Sequence, residues 1–120
     1  IIMNALKNKV QLIGNLGSNP EVKALDGGNK IAKFTMATNE VYHNKKGEKV
    51  TETQWHNIVA WGKTADLVEQ LLEKGKQVLV QGKLTNRSYE DKEGNKRYIT
   101  EIVAQDFLLL TPKEEAVLPF

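Results

Sequence analysis

Hydrophobic and polar positions alternate with a period of two along most of the chain. In KVQLIGNLG, Val10, Leu12 and Leu16 alternate with Gln11 and Asn15 as far as the turn-forming run Gly17-Ser18-Asn19-Pro20, which predicts a first strand with one buried face. A short extended piece, EVKAL, precedes Gly27-Gly28, and beyond it Ala32, Phe34, Met36 and Thr38 alternate with Lys33 and Thr35 as a second strand. TETQWHNIVAW, Thr51 to Trp61, is the third strand, QVLVQGKLTNRSY from Gln77 the fourth and KRYITEIVA from Lys96 the fifth. HNKKGEK, His43 to Lys49, has the composition of a mobile basic hairpin loop, and EDKEGN that of a second polar turn. The period changes once. Leu67, Val68, Leu71 and Leu72 fall on one helical stripe, with Thr64 as N-cap, Asp66 in the first turn and Gly75 just past the end. No internal repeat is evident.

Five strands with a helix between the third and fourth is the element order of the OB-fold, a five-stranded Greek-key barrel that is all-β apart from that one helix. Residues 1–110 are expected to form this domain and residues 111–120 a short C-terminal tail with a Pro-Phe tip. Ile1 and Ile2 precede Met3, which reads as a natural start, and they stay outside the fold argument.

Side chains on a strand point alternately to opposite faces, so Trp55, Asn57, Val59 and Trp61 share one face, and Gln54, His56, Ile58 and Ala60 the other. Aromatic rings are usually buried. Here volume opposes it: two indoles roughly 20 Å apart, at about 3.3 Å per residue, would have to enter a small barrel already filled by Phe34, Met36, Ile58, Val78, Val80 and Leu84. Both tryptophans are therefore expected on a working surface. On the fourth strand Lys83, Thr85, Arg87 and Tyr89 make a polar face ending in a ring, opposite Val78, Val80, Gly82 and Leu84. Together with the loop after Tyr42, the chain offers Tyr42, Trp55, Trp61 and Tyr89 interleaved with Lys45, Lys46, Lys63, Lys83 and Arg87. Cations follow phosphates and rings stack on any base, so this pattern suits a single nucleic-acid strand.

Composition narrows the alternatives. The chain has 120 residues, 40% of them hydrophobic and 27% charged, enough for one core. It has no cysteine, which excludes disulfides, thiolate catalysis and cysteine-based zinc sites and fits a reducing compartment. Its longest apolar runs, such as FLLL from Phe107, are too short to cross a bilayer, and an intracellular protein without a membrane partner is expected. A net charge of +2 and a pI near 8.8 hint at an anionic partner without deciding for one.

At NKVQLIGNLGSNPEVK, FTMATNE, TQWHNIVAWGKTAD, KGKQVLVQGKL and RYITEIVA the chain closely resembles the bacterial-type single-stranded DNA-binding proteins, in order and over nearly its whole length. The resemblance implies an OB-fold working as a homotetramer, around which single-stranded DNA wraps in replication, recombination and repair, with no catalysis and no cofactor or metal. It puts Tyr42, Trp55, Trp61 and Tyr89 at stacking positions and His56 at a subunit interface. Lys9, Lys23, Lys45, Lys46, Lys63, Lys74, Lys83 and Arg87 become candidates for the DNA backbone. Leu118, Pro119 and Phe120 would form a tip that binds DNA-metabolism proteins, and the location would be cytoplasmic, at the nucleoid. Relatives often carry tryptophan where Tyr42 and Tyr89 stand and phenylalanine where Trp61 stands, and often a basic residue where Asn57, Thr85 and Ser88 stand. A less cationic groove follows. The linker before the tip is almost absent, and Glu114 and Glu115 make only a weak acidic patch.

Other signals carry less. GNLG at Gly14 to Gly17 ends a strand, whereas the clamping GxxG loop of KH domains joins two helices, and no phosphate-loop lysine accompanies it. His43 and His56 lack metal-ligand spacing, and Asn86-Arg87-Ser88 is a chance glycosylation sequon. An RNA-binding OB module and a small enzyme are the alternative classes, but no convergent acid, base and nucleophile can be named for the latter.

Overall fold

The computed structural model of the protein describes residues 4–111. The expected tip of Leu118, Pro119 and Phe120 lies outside the described residues. A four-residue helix, α1 (Asn4–Lys7), leads into β1 (Val10–Leu16) and β2 (Glu21–Ala24). After a 3-10 turn at Asp26–Gly28 come β3 (Lys30–His43), β4 (Lys49–Trp61), the helix α2 (Gly62–Leu71), β5 (Gln77–Glu90) and β6 (Lys96–Leu109). The strand order is β1-β5-β6-β4-β3-β2, and a pairing of β1 with β3 closes the first five into a barrel. β2, the EVKAL piece, adds a short sixth strand to the edge of β3 with Val22 opposite Ala32.

Alternation in sequence becomes burial in the barrel. Ala32, Phe34 and Met36 from β3, Ile58 and Ala60 from β4, and Val78 and Val80 from β5 enclose the core. Closure needs close approach of backbones at two places, where a side chain on Gly14 would collide with the Ala37 carbonyl and one on Gly82 with that of Val103. β6 outlasts its expected end at Ala104. A bulge at Gln105, between the Gln81–Asp106 and Gly82–Ala104 pairs, shifts the alternation and lets Phe107 and Leu109 pack on the core.

The helix departs from expectation at both its start and its stripe. β4 runs straight into α2 with extended Trp61 at the N-cap and no side-chain cap, so Thr64 lies inside the helix rather than capping it. Asp66, no longer in the first turn, instead accepts an ion pair from Lys30 at 2.7 Å, and Glu69 a second at 2.9 Å. The helix seals one end of the barrel through Ala65 and Val68, with Leu72 just past its end, while Leu67 and Leu71 stay exposed. A barrel mouth offers contact to a narrow stripe only, and the flanking leucines fall outside it.

β3–β4 and β5–β6 extend beyond the barrel as two long hairpin arms whose residues 38–53 and 85–100 match at a constant spacing. Both read Thr-Asn-x-x-Tyr-x-x-Lys-x-Gly-x-Lys, a likeness present in the sequence itself, and the strand register matches it.

Candidate nucleic-acid interface

One outward face crosses four strands of the barrel. On β3 and β4 the pairs Ile31–Trp61, Lys33–Val59, Thr35–Asn57 and Ala37–Trp55 lie side by side. β6 runs parallel to β4, with Val59 opposite Val103, and β5 follows with Lys83 opposite Val103, Thr85 opposite Glu101 and Arg87 opposite Ile99. Two adjoining clefts of about 320 and 380 Å³ run along this face and share Lys33, Val59, Arg87 and Glu101. Trp61 lines the larger and Asn57 the smaller.

Both indoles are open to solvent, Trp55 at 63% and Trp61 at 49% of full exposure. Val59, between them in sequence, is buried as cleft floor. The Trp55 ring rests on Gly17, whose amide is held by the Thr35 carbonyl at 3.0 Å. Gly17 thus leaves room for the ring, a role beyond the turn signal it gives in the sequence.

Arg87 is engaged within the protein. Its Nε donates to Oε1 of Glu101 at 2.7 Å and its Nη2 to Oε2 at 3.4 Å, and its guanidinium stands 6.0 Å from the centroid of the Tyr89 ring. The hydrogen bond that Arg87 donates to Glu101, reinforced by the carboxylate's charge, raises the pKa of Arg87 further above its ordinary value. The sequence grouped Arg87 with free cations; the fold pairs it. Lys9, Lys23, Lys45, Lys46, Lys63, Lys74 and Lys83 are all exposed, and none forms an ion pair among the described residues.

Trp55, Trp61, Arg87, Tyr89 and Lys83 therefore share one face, but Tyr42 does not. On β3 it has the parity of Phe34 and Met36, opposite to that of Ala37, the partner of Trp55, and it is exposed because the arm has left the barrel. His56 is half-buried, its Nε2 3.0 Å from the hydroxyl of Thr38. Lys45 and Lys46 sit at the tip of the first arm and Lys63 at the start of α2. Lys23 is on β2, and Lys74 lies beyond α2, its amide donating to Asn19 at 2.8 Å.

Three contributors escape sequence reasoning: Lys33 and Glu101 line the clefts, and Gly17 seats Trp55. Tyr98, 73% exposed with Lys96 Nζ 5.5 Å from its ring, is the most open aromatic among the described residues, but on β6 it has the parity of Ile102 and Ala104 and lies off this face. For Tyr98 a signal existed: its position in the polar flank of KRYITE, beyond the apolar part of the strand.

A closed five-stranded Greek-key barrel with rings and cations along one open face is an OB-fold of the nucleic-acid-binding kind. The chain belongs to the single-strand binding protein family, whose family model matches residues 7–110. It is 46% identical over 108 residues to single-stranded DNA-binding protein 1 of Chlorobaculum tepidum, covering 89% of this chain and 67% of the relative. It is 41% identical over 109 residues to single-stranded DNA-binding protein 1 of Xylella fastidiosa, covering 90% and 80%. Among solved structures it is similar to the Plasmodium falciparum SSB in complex with ssDNA, with a TM-score of 0.79 and 38% identity over 86% of this chain and 94% of that one. A deletion variant of the single-stranded DNA binding protein from Thermus aquaticus matches with a TM-score of 0.74 and 28% identity over 86% of this chain and 50% of that one.

Proposed function

We propose that this chain binds single-stranded DNA with little sequence preference, bases stacking on exposed rings while lysines neutralise the backbone. The observation that carries it is the continuous face holding Trp55, Trp61, Lys83, Arg87 and Tyr89, on a barrel whose relatives are single-stranded DNA-binding proteins. Every base has a π-face, so stacking tolerates any sequence, and mobile lysines make affinity fall steeply with salt. Tyr42 on its arm is the fourth stacking ring, and Lys9, Lys23, Lys45, Lys46, Lys63 and Lys74 extend the cationic surface. Arg87, with its charge largely met by Glu101, adds less to salt dependence than a free lysine does.

The same reading makes the working unit a homotetramer. β1 pairs with β5 from Val10 to Asn15 but with β3 only at Asn15 and Leu16, so most of its other edge has no partner strand among the described residues. Ile13, Leu79 and Leu108 are in register across β1, β5 and β6, and Ile13 and Leu108 are exposed, which supports a subunit contact on that face. His56 belongs to the proposed interface. Leu118, Pro119 and Phe120 are proposed as the anchor for DNA-metabolism partners, in a cytoplasmic protein of the nucleoid that coats strands during replication, recombination and repair.

Titration with oligothymidine and a matched uridine oligomer tests the reading: tryptophan fluorescence should quench strongly with DNA. Equal or tighter binding of the RNA, or no quenching, would reject it. Native mass spectrometry of the same mixtures should show four chains per complex.

A further inference from the structure

The two adjoining clefts differ in chemistry. Beyond the residues they share, the larger draws chiefly on Ile31, Trp61 and Val103, an apolar setting for the face of a base, whereas the smaller brings in the hydroxyls and amides of Ser18, Asn19, Thr35 and Asn57. Three of those four are engaged within the protein. Ser18 Oγ lies 3.5 Å from the Thr35 hydroxyl, and Asn19 Oδ1 accepts the Lys74 amide at 2.8 Å. Of the four, Asn57 alone makes no side-chain hydrogen bond among the described residues, and it is exposed, so its donor and its acceptor both stand uncommitted in the cleft.

Local propensity does not account for an asparagine here. The residue type is depleted in strands, yet this one sits within β4, on the outward face, two residues from Trp55 on one side and two from the cleft floor at Val59 on the other. Thr35 is its neighbour across the strands. The fold gains neither a bond nor buried surface from this amide.

A base does gain from it. A base that stacks on Trp55 or Trp61 gives up water along its polar edge as it enters the cleft, and an edge left without partners costs free energy. Rings cannot supply those partners. An amide can, because the pairing edge of every nucleobase sets one donor beside one acceptor: N6–H and N1 in adenine, N4–H and N3 in cytosine, N1–H and O6 in guanine, N3–H and O4 in thymine. Turning the amide end for end exchanges its N–H and C=O, so one side chain fits all four. Lysine or arginine, with donors alone, would favour guanine or a phosphate.

We infer that Asn57 reads base edges without choosing among bases: its amide hydrogen-bonds the pairing edge of the base stacked beside it, a contact that requires a base but not a particular one. The inference rests on the single-stranded DNA reading above and adds to it a third kind of contact, neither stacking nor charge. Rings then hold the faces, Asn57 an edge, and the lysines the backbone.

The test titrates the full chain, by anisotropy at low salt, into end-labelled strands of about 4 to 16 nucleotides, the span of one such barrel. The strands are oligothymidine, oligoadenosine, oligocytidine and one of equal length that is abasic throughout. Asn57→Ala should weaken binding of the three base-bearing strands about two- to tenfold and to a similar extent, as expected for the loss of a neutral hydrogen bond. Affinity for the abasic strand, the salt slope and the thermal midpoint should not change. Asn57→Asp keeps acceptors alone, which suit the amino group of cytosine, so its ratio of oligocytidine to oligothymidine affinity should rise above that of wild type. An equal loss on the abasic strand would make Asn57 a backbone contact, a loss on one base alone would make it a selective reader, and a matching fall in thermal midpoint would make it structural. Each overturns the inference, as would wild-type binding by Asn57→Ala or an unchanged ratio in Asn57→Asp. Failure of the wild-type chain to bind any base-bearing strand would strike the single-stranded DNA reading instead.

Discussion

Arg87 and Glu101 form a pair of unequal burial: the carboxylate is only 6% exposed, while the guanidinium that holds it at 2.7 Å is half open to the cleft. A buried carboxylate needs a partner, and removing that partner strands it. Arg87→Ala is therefore expected to lower the thermal midpoint as well as DNA affinity, and to change the salt slope less than Lys83→Ala does. Glu101→Gln keeps an acceptor for Arg87 and should disturb folding less. Scanning calorimetry with salt-dependent titrations checks both, and an Arg87→Ala protein melting like wild type would remove the structural role.

Trp55→Ala and Trp61→Ala should each weaken oligothymidine binding by roughly 1 to 3 kcal/mol with almost no change in melting. A buried tryptophan would instead cost about 3 to 5 kcal/mol of folding stability. The salt slope should stay nearly constant in both variants, because the lost interaction involves no counterion.

Gly17→Ala tests the seat of the Trp55 ring. A methyl group there would stand 2.9 Å from Cη2 of Trp55 and 3.0 Å from the Thr35 hydroxyl, and nearer still to Cζ3 of the ring, so the ring must move. The expected result is shifted tryptophan emission and an affinity loss no greater than the roughly 1 to 3 kcal/mol that a stacked base is worth. Unchanged emission and affinity would show that the ring is not positioned by Gly17.

The two arms should part company in acid. Asp91 has its pKa lowered from the ordinary 3.8, first by the hydrogen bond from Arg97 and then by the amides of Asn95 and Glu93. Its contribution to the second arm is complete above the unfolded value and is lost as pH falls through the lower folded one. Asn44 does the same work in the first arm with an amide that does not titrate. As pH falls below the ordinary 3.8, hydrogen-exchange protection should fall at the amides of Glu93 and Asn95 but hold at those of Lys46 and Glu48. Parallel behaviour of the two tips would refute the assignment.

What the sequence by itself determined is what local covalent geometry controls. The alternation of Ala32, Phe34 and Met36 against Lys33 and Thr35 dictates which face is buried, because consecutive side chains on a strand must point to opposite sides. The exposure of Trp55 and Trp61 followed from volume, which a short chain cannot evade. Only the tertiary structure decided the rest. Arg87 meets Glu101 because β5 and β6 pair in one register, and Tyr42 leaves the tryptophan face because its parity on β3 is that of the core. Leu67 and Leu71 stay outside because the barrel mouth is narrow, and β6 continues past Ala104 because a bulge resets its alternation. Each of these depends on which distant segment lies alongside, and that is settled by closing the barrel, a long-range event with no counterpart in any short window of sequence.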